Sequence, residues 1–290
     1  MRQTLTLLFT FLCVLLASCE HPDLSDESTA QEPKGNLTVS VFSIEQMPFS
    51  ALFTRAAASQ ACNRLSFAIY DDSNIRIKQT NQMLGDDDFG TASFQLAEGT
   101  YFLVAVAHSS NGNPTMTDPF KIKFTNSQGF SDTFLYARQI TVSSEPQTIQ
   151  LSLDRIVALC RFVITDDYPQ AVKQMRFQYK GGSGAFDAHT GLGSVNSTQT
   201  LFFDATTGQK QFDLYTFLHD TEGTIHLLAT AYDANVNVLF EREFDVPLRQ
   251  NQVTLVSGPY FSANGSSSFN TLTSSVDINT TWSGQTTINY

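Results

Sequence analysis

Apolar residues in this chain recur at every second position, in short runs closed by turn residues, and nowhere keep a helical period with caps. A period of two puts alternate side chains on opposite faces of a strand, so the pattern points to β-structure. In LTVSV, Leu37, Val39 and Val41 share one face. In RLSFAIYD, Leu65, Phe67 and Ile69 do so, with Ser66 and Ala68 opposite, and NIRIK alternates again. SFQLAEGTYFLVAVAH reads as two strands about a turn at Glu98-Gly99; the second, Tyr101 to Ala107, is apolar on both faces and therefore central. QITVS follows, then TIQLSLDRIVALCRFVITDD, where Ile149, Leu151 and Leu153 alternate before a nearly continuous apolar run from Ile156 to Ile164. That change of pattern marks a domain boundary near Asp154. QMRFQYK, KQFDLYTFL, TIHLLATAYD, VLFEREFDV and QVTLVSGPYF are further strands, with turn signals at KGGSG, ATTGQ, DTEG and DANVN. Many short strands at regular spacing predict an all-β chain of two β-sandwiches, residues 37–153 and 154–261.

The first residues read as an address. Arg2 precedes an apolar run, Leu5 to Ala17, that is short of the ~20 residues a spanning helix needs. Leu16-Ala17-Ser18-Cys19 resembles the bacterial lipobox, which predicts a signal peptide over 1–18 and acylation of Cys19. The Cys19 lipid is the one prosthetic group expected. Residues 20–36, EHPDLSDESTAQEPKGN, are acidic and proline-bearing, so 19–36 reads as a tether holding the folded body away from the membrane.

The end of the chain is as distinctive. Residues 262–275 are rich in Ser, Asn and Gly and read as a linker. In VDINTTWSGQTTINY, residues 276–290, one alternate set contains Val276, Ile278, Trp282, Ile288 and Tyr290, and the other set is wholly polar. This is one long amphipathic strand, close to ~50 Å if fully extended. Its edge needs a partner. Either it folds back on its own second domain or it adds to a neighbour's sheet, with Ile278 and Trp282 the deepest anchors.

A net charge of −11 sets aside nucleic acid and anionic surfaces as partners, since both require basic patches. Catalytic motifs are missing: His21, His108, His189, His219 and His226 form no metal-ligand spacing, and no nucleophile elbow or phosphate loop occurs. No enzyme is expected. His108 is read as a surface or loop-packing residue and His226 as a strand's polar face. The acids of GDDDFG and TDDYP are read as solvated turns. Cys62 and Cys160 form either a disulfide or two buried thiols.

Taken together, the lipobox, CNRLSFAIYD, LAEGTYFLVAVAH, LDRIVALCRFVITDDYP and RQNQVTLVSGPYF resemble the Bacteroidales fimbrial lipoproteins of the FimB-like anchor family, over most of the chain from Cys19 onward. The resemblance rests on order and spacing. It implies two tandem transthyretin-like β-sandwich domains, a lipid anchor in the outer membrane, fimbrial shaft subunits as partners, and a role in limiting fimbrial length. Shaft and tip subunits of such systems are cut after an arginine, which removes a strand and opens a groove. FSALFTRAAASQ contains a similar site at Arg55-Ala56, whose plain alternative is an exposed loop arginine. An anchor need not be cut, so this arginine separates an anchor from a shaft or tip subunit. The rival reading is a glycan-binding surface lipoprotein of a polysaccharide-uptake system.

Overall fold

Strand follows strand along the chain, with no α-helix among the described residues. The computed structural model describes residues 35–44, 47–48, 62–124, 129–262 and 283–290. The first half contributes β1 (Leu37–Ile44), β2 (Met47–Pro48), β3 (Arg64–Tyr70), β4 (Arg76–Met83), β5 (Thr91–Phe94), β6 (Gly99–His108), β7 (Ile122–Lys123), β8 (Thr133–Val142) and β9 (Gln147–Arg155). The second half contributes β10 (Ala158–Ile164), β11 (Gln174–Gly182), β12 (Ala185–Asp187), β13 (Leu192–Gly193), β14 (Ser197–Asp204) and β15 (Gln211–Thr216). After these come β16 (Glu222–Tyr232), β17 (Val238–Arg249), β18 (Val253–Gly258) and β19 (Gln285–Asn289).

The first half is an eight-stranded sheet in the order β2-β1-β9-β8-β6-β3-β4, with β5 paired to β1. β8 and β9 meet only at Phe134↔Arg155 and Leu135↔Asp154. The sheet is nearly closed and barrel-like, and its interior holds Leu37, Val39, Leu65, Phe67, Ile69, Leu103, Leu151 and Leu153. β6 is buried on both faces, as its continuous apolar run predicts. β3 is too: Ser66 and Ala68, on the face opposite Leu65, Phe67 and Ile69, are also fully buried.

The second half has two four-stranded sheets, β15-β10-β18-β19 and β14-β11-β16-β17. Their inward residues, including Phe162, Phe177, Phe212, Leu227 and Phe244, form one core. β11 runs on to Gly182 through a bulge with Gly181 at φ +98°, so KGGSG continues a strand instead of making a simple turn.

A third apolar cluster draws on both halves. Ala68, Tyr70, Val104, Val106, Met116, Phe124 and Phe130 pack with Ile156, Val157, Phe186 and Phe217. β7 pairs with β12, which pairs with β13, so a small sheet also crosses between the halves. Beside it Arg155 donates to both carboxylate oxygens of Asp132, at 2.7 and 2.9 Å, and to Asn251 Oδ1 at 3.1 Å. Residues 35–290 accordingly make one compact unit.

His108 is completely buried, edge-on to Phe124, and neither ring nitrogen has a hydrogen-bond partner. This corrects its placement at the surface. The acids of TDDYP are also not all free turn groups: Asp166 is bonded as described below. Asn36 is buried as well; its amide donates to the carbonyls of Leu96 and Ser143 and accepts from Leu96 N, all at 2.9 Å.

Candidate functional site

QTTIN, the last part of the amphipathic segment, is seated as β19 on the outer edge of the β15-β10-β18-β19 sheet. It runs parallel to β18, in register from Val253↔Gln285 to Ser257↔Asn289. Ser283 N donates to Asn251 O at 3.0 Å, Val253 N to Gly284 O at 2.9 Å, and Tyr290 N to Ser257 O at 3.0 Å. Among the described residues no strand lies on the other side of β19. The last strand thus folds back on its own chain, one of the two arrangements its pattern allows.

The predicted alternation shows at Ile288 and Asn289, whereas Gln285, Thr286 and Thr287 are alike half-buried. Gly284 and Ile288 are buried, and Ile288 joins the second-half core. The Tyr290 ring stacks on Phe162 at 5.2 Å between centroids and stands edge-on to Phe244 at 4.9 Å. Its hydroxyl donates to Val163 O at 3.2 Å. The Arg242 guanidinium lies 4.8 Å from the Tyr290 ring centroid and donates to Pro259 O at 2.9 Å. A guanidinium over an aromatic face adds roughly 0.5–2 kcal/mol to such a contact. Burial raises the Tyr290 hydroxyl pKa, so the ring is held neutral. The last residue of β18 beside this ring is Gly258, which presents no side chain to it.

Asp166 fixes the chain where it leaves β18. Its carboxylate accepts from the amides of Tyr260 (2.8 Å), Phe261 (2.7 Å) and Ser262 (2.8 Å), and from the Ser262 hydroxyl at 3.0 Å. Burial alone would raise its pKa, but the three amides and the hydroxyl outweigh it and hold Asp166 below the usual carboxylate range. Tyr260 is buried and donates to Ala229 O at 2.7 Å, tying this exit to the opposite sheet.

Of the residues singled out from sequence, the structure brings Ile288 and Tyr290 to one surface. Cys19, Arg55, Ala56, Val276, Ile278 and Trp282 lie outside the described residues. Cys62 and Cys160 are free and buried, Cys62 in the first-half core and Cys160 in the second-half core; the bridge weighed from sequence is not formed. Burial pushes the Cys62 thiol up to about 12 and raises Cys160 as well. His226 is exposed on a strand's polar face, as read, and pairs with Asp245. Among the described residues no group of three His, Cys, Asp or Glu side chains is placed to hold a metal ion. Sequence reasoning missed Phe162, Arg242, Phe244 and Gly258 as the seat of the last strand. They sit on three separate strands or strand ends, and only Gly258, in the SGPYF segment, carried a local turn signal.

The model of a family described as a family of unknown function, DUF6562, matches residues 29–289. None of the curated proteins matches the chain. Among solved structures, a candidate adhesin from Bacteroides ovatus is similar at 12% identity and a TM-score of 0.51, over 75% of this chain and 84% of that one. A fimbrial assembly protein from Parabacteroides distasonis gives 12% identity and 0.40, over 79% and 91%. The fimbrial anchor protein Mfa2 from Porphyromonas gingivalis gives 12% and 0.39, over 71% and 80%. At these identities the likeness is one of fold.

Proposed function

This chain belongs to the DUF6562 family of unknown function, and from that premise we propose that it is a structural, non-enzymatic subunit of a bacterial surface fibre, held in the outer membrane by lipid on Cys19 and joined to neighbouring subunits by strand addition. The observation that carries the proposal is β19: a terminal strand bound through one edge to β18, with an aromatic residue set in a pocket of Phe162, Phe244 and Arg242. Strand addition draws affinity from main-chain hydrogen bonds and specificity from pockets for alternate side chains. The seat supplies both. The fold likeness to a candidate adhesin supports placement at the cell surface. In this reading the two halves are tandem transthyretin-like sandwiches, residues 276–290 are the exchanged segment, and fimbrial shaft subunits are the partners.

Outer-membrane extracts run unboiled and boiled on a denaturing gel test the proposal. A high-mass ladder that collapses on boiling is expected, and a single monomer band in both lanes overturns it. The N-terminus of the mature protein then assigns its position: acylated Cys19 marks an anchor, and Ala56 marks a shaft or tip subunit cut after Arg55.

A further inference from the structure

The outward face of the β14-β11-β16-β17 sheet has its own chemistry, distant in character from the strand seat. Alternate residues of these strands point away from the core, and the register aligns them in rows. Lys180 faces His226, which faces Asp245; Gln178 faces Leu228, which faces Glu243; Arg176 faces Thr230, which faces Glu241. Two concavities of about 570 and 460 Å³ lie along this face, one beside Lys180, His226 and Glu243, the other beside Gln174, Phe202 and Val236. From Lys180 to Gln174 the face runs about 20 Å at the usual strand rise.

Three features select a ligand class. The cations Arg176 and Lys180 on β11 stand across β16 from the carboxylates of Glu241, Glu243 and Asp245 on β17, so the face has no one-signed field to hold a polyanion. Part of the polar set is already committed: Arg176 donates to Thr230 Oγ1 at 3.0 Å, Thr230 to Glu241 at 3.1 Å, and His226 pairs with Asp245. The Lys180 and Glu243 side chains make no hydrogen bond or ion pair among the described residues, so a donor and an acceptor face the larger concavity uncommitted. Finally, Phe202 is 57% exposed on the edge strand β14, opposite Arg176, and in the neighbouring row Gln178 donates to Thr200 Oγ1 at 3.3 Å. An exposed aromatic ring at one concavity and an uncommitted donor and acceptor at the other fit a short chain of rings with C–H faces and hydroxyl edges.

We propose that this sheet face binds a neutral oligosaccharide, with Phe202 as the stacking platform and Lys180 and Glu243 as hydroxyl-binding groups. The site is separate from β19 and does not rest on the fibre reading. The full chain in detergent is screened on an array of neutral oligosaccharides (glucans, mannans, xylans and galactans) beside sulfated and sialylated ones, and each hit is titrated calorimetrically. At least one neutral oligosaccharide is expected to bind. Phe202→Ala and Glu243→Gln, both on exposed side chains, are expected to weaken it about tenfold or more, which is about 1.4 kcal/mol, with melting temperature and any boiling-sensitive ladder unchanged. Failure to hold any neutral oligosaccharide, retention of acidic glycans alone, or binding untouched by both substitutions overturns the proposal.

Discussion

A Cβ placed on Gly258 would overlap the carbonyl oxygen of Tyr290 and stand 2.9 Å from its Cγ. The last residue of β18 is a glycine because the last residue of the sequence lies against its backbone. Gly258→Ala is expected to push β19 off its edge while sparing the rest of the sheet, at about 1–3 kcal/mol, the usual cost of overpacking. Amide hydrogen exchange checks this: Thr286 to Tyr290 lose protection and Phe162 to Ile164 keep it.

Tyr290 combines ring packing and one hydrogen bond, and two substitutions separate them. Tyr290→Phe removes only the 3.2 Å bond to Val163 O, worth about 0.5–1.5 kcal/mol. Tyr290→Ala also empties the pocket of Phe162, Phe244 and Arg242 and should cost about 3 kcal/mol. Urea midpoints of the two variants, at constant slope, give the ranking.

His108 supplies a pH dependence. Burial first, and then the charge of Arg64, lower its pKa from 6.5 to about 3. Above pH 6.5 the ring is neutral in folded and unfolded chains alike, and its contribution is complete. As pH falls from 6.5 toward 3, the unfolded chain takes up a proton that the folded one refuses, and stability drops by up to about 1.4 kcal/mol per pH unit. His108→Leu is expected to flatten that part of the stability–pH curve, measured by urea unfolding at steps between pH 7 and pH 4.

The Arg155–Asp132 ion pair, whose arginine also donates to Asn251 of the second half, is nearly dry, with the Arg155 side chain 5% and the Asp132 side chain 15% exposed. Removing one partner strands the other, so Arg155→Met should destabilise by about 3–5 kcal/mol. The double variant Arg155→Met with Asp132→Asn should recover part of that loss. A double-mutant cycle on denaturant unfolding reads the coupling.

Cys62 and Cys160 should resist iodoacetamide in the native protein and react fully once denatured, without reductant. Burial keeps both thiols protonated and out of reach. Peptide masses spanning each cysteine settle it; a linked peptide before reduction would contradict the free thiols.

Most strands were legible because their period is local. The β6 run from Tyr101 to Ala107 announces two buried faces by having no polar alternation. β3 did not: Ser66 and Ala68 alternate with its large apolar residues, and Ala68 is buried in the cluster shared with the second half. The same blind spot hid His108, since nothing near it in sequence specifies Phe124 as a lid. TDDYP read as solvated turn acids because the amides that Asp166 accepts from are about a hundred residues away. The alternation of the last strand was visible, but its seat was not, because Phe162, Arg242 and Phe244 come from β10 and β17, brought together only by long-range pairing.

The parallel alignment of β19 on β18 has a mechanical meaning. Bonds in such a ladder run slanted from strand to strand and are evenly spaced. A pull along the axis of β19 therefore loads every bond together in shear, whereas a pull across it opens them one after another. Whichever chain supplies the strand, the joint resists tension along its own length far better than peeling from one end, and Tyr290, seated against Gly258 at the far end of the ladder, must leave its pocket before the strand can slip.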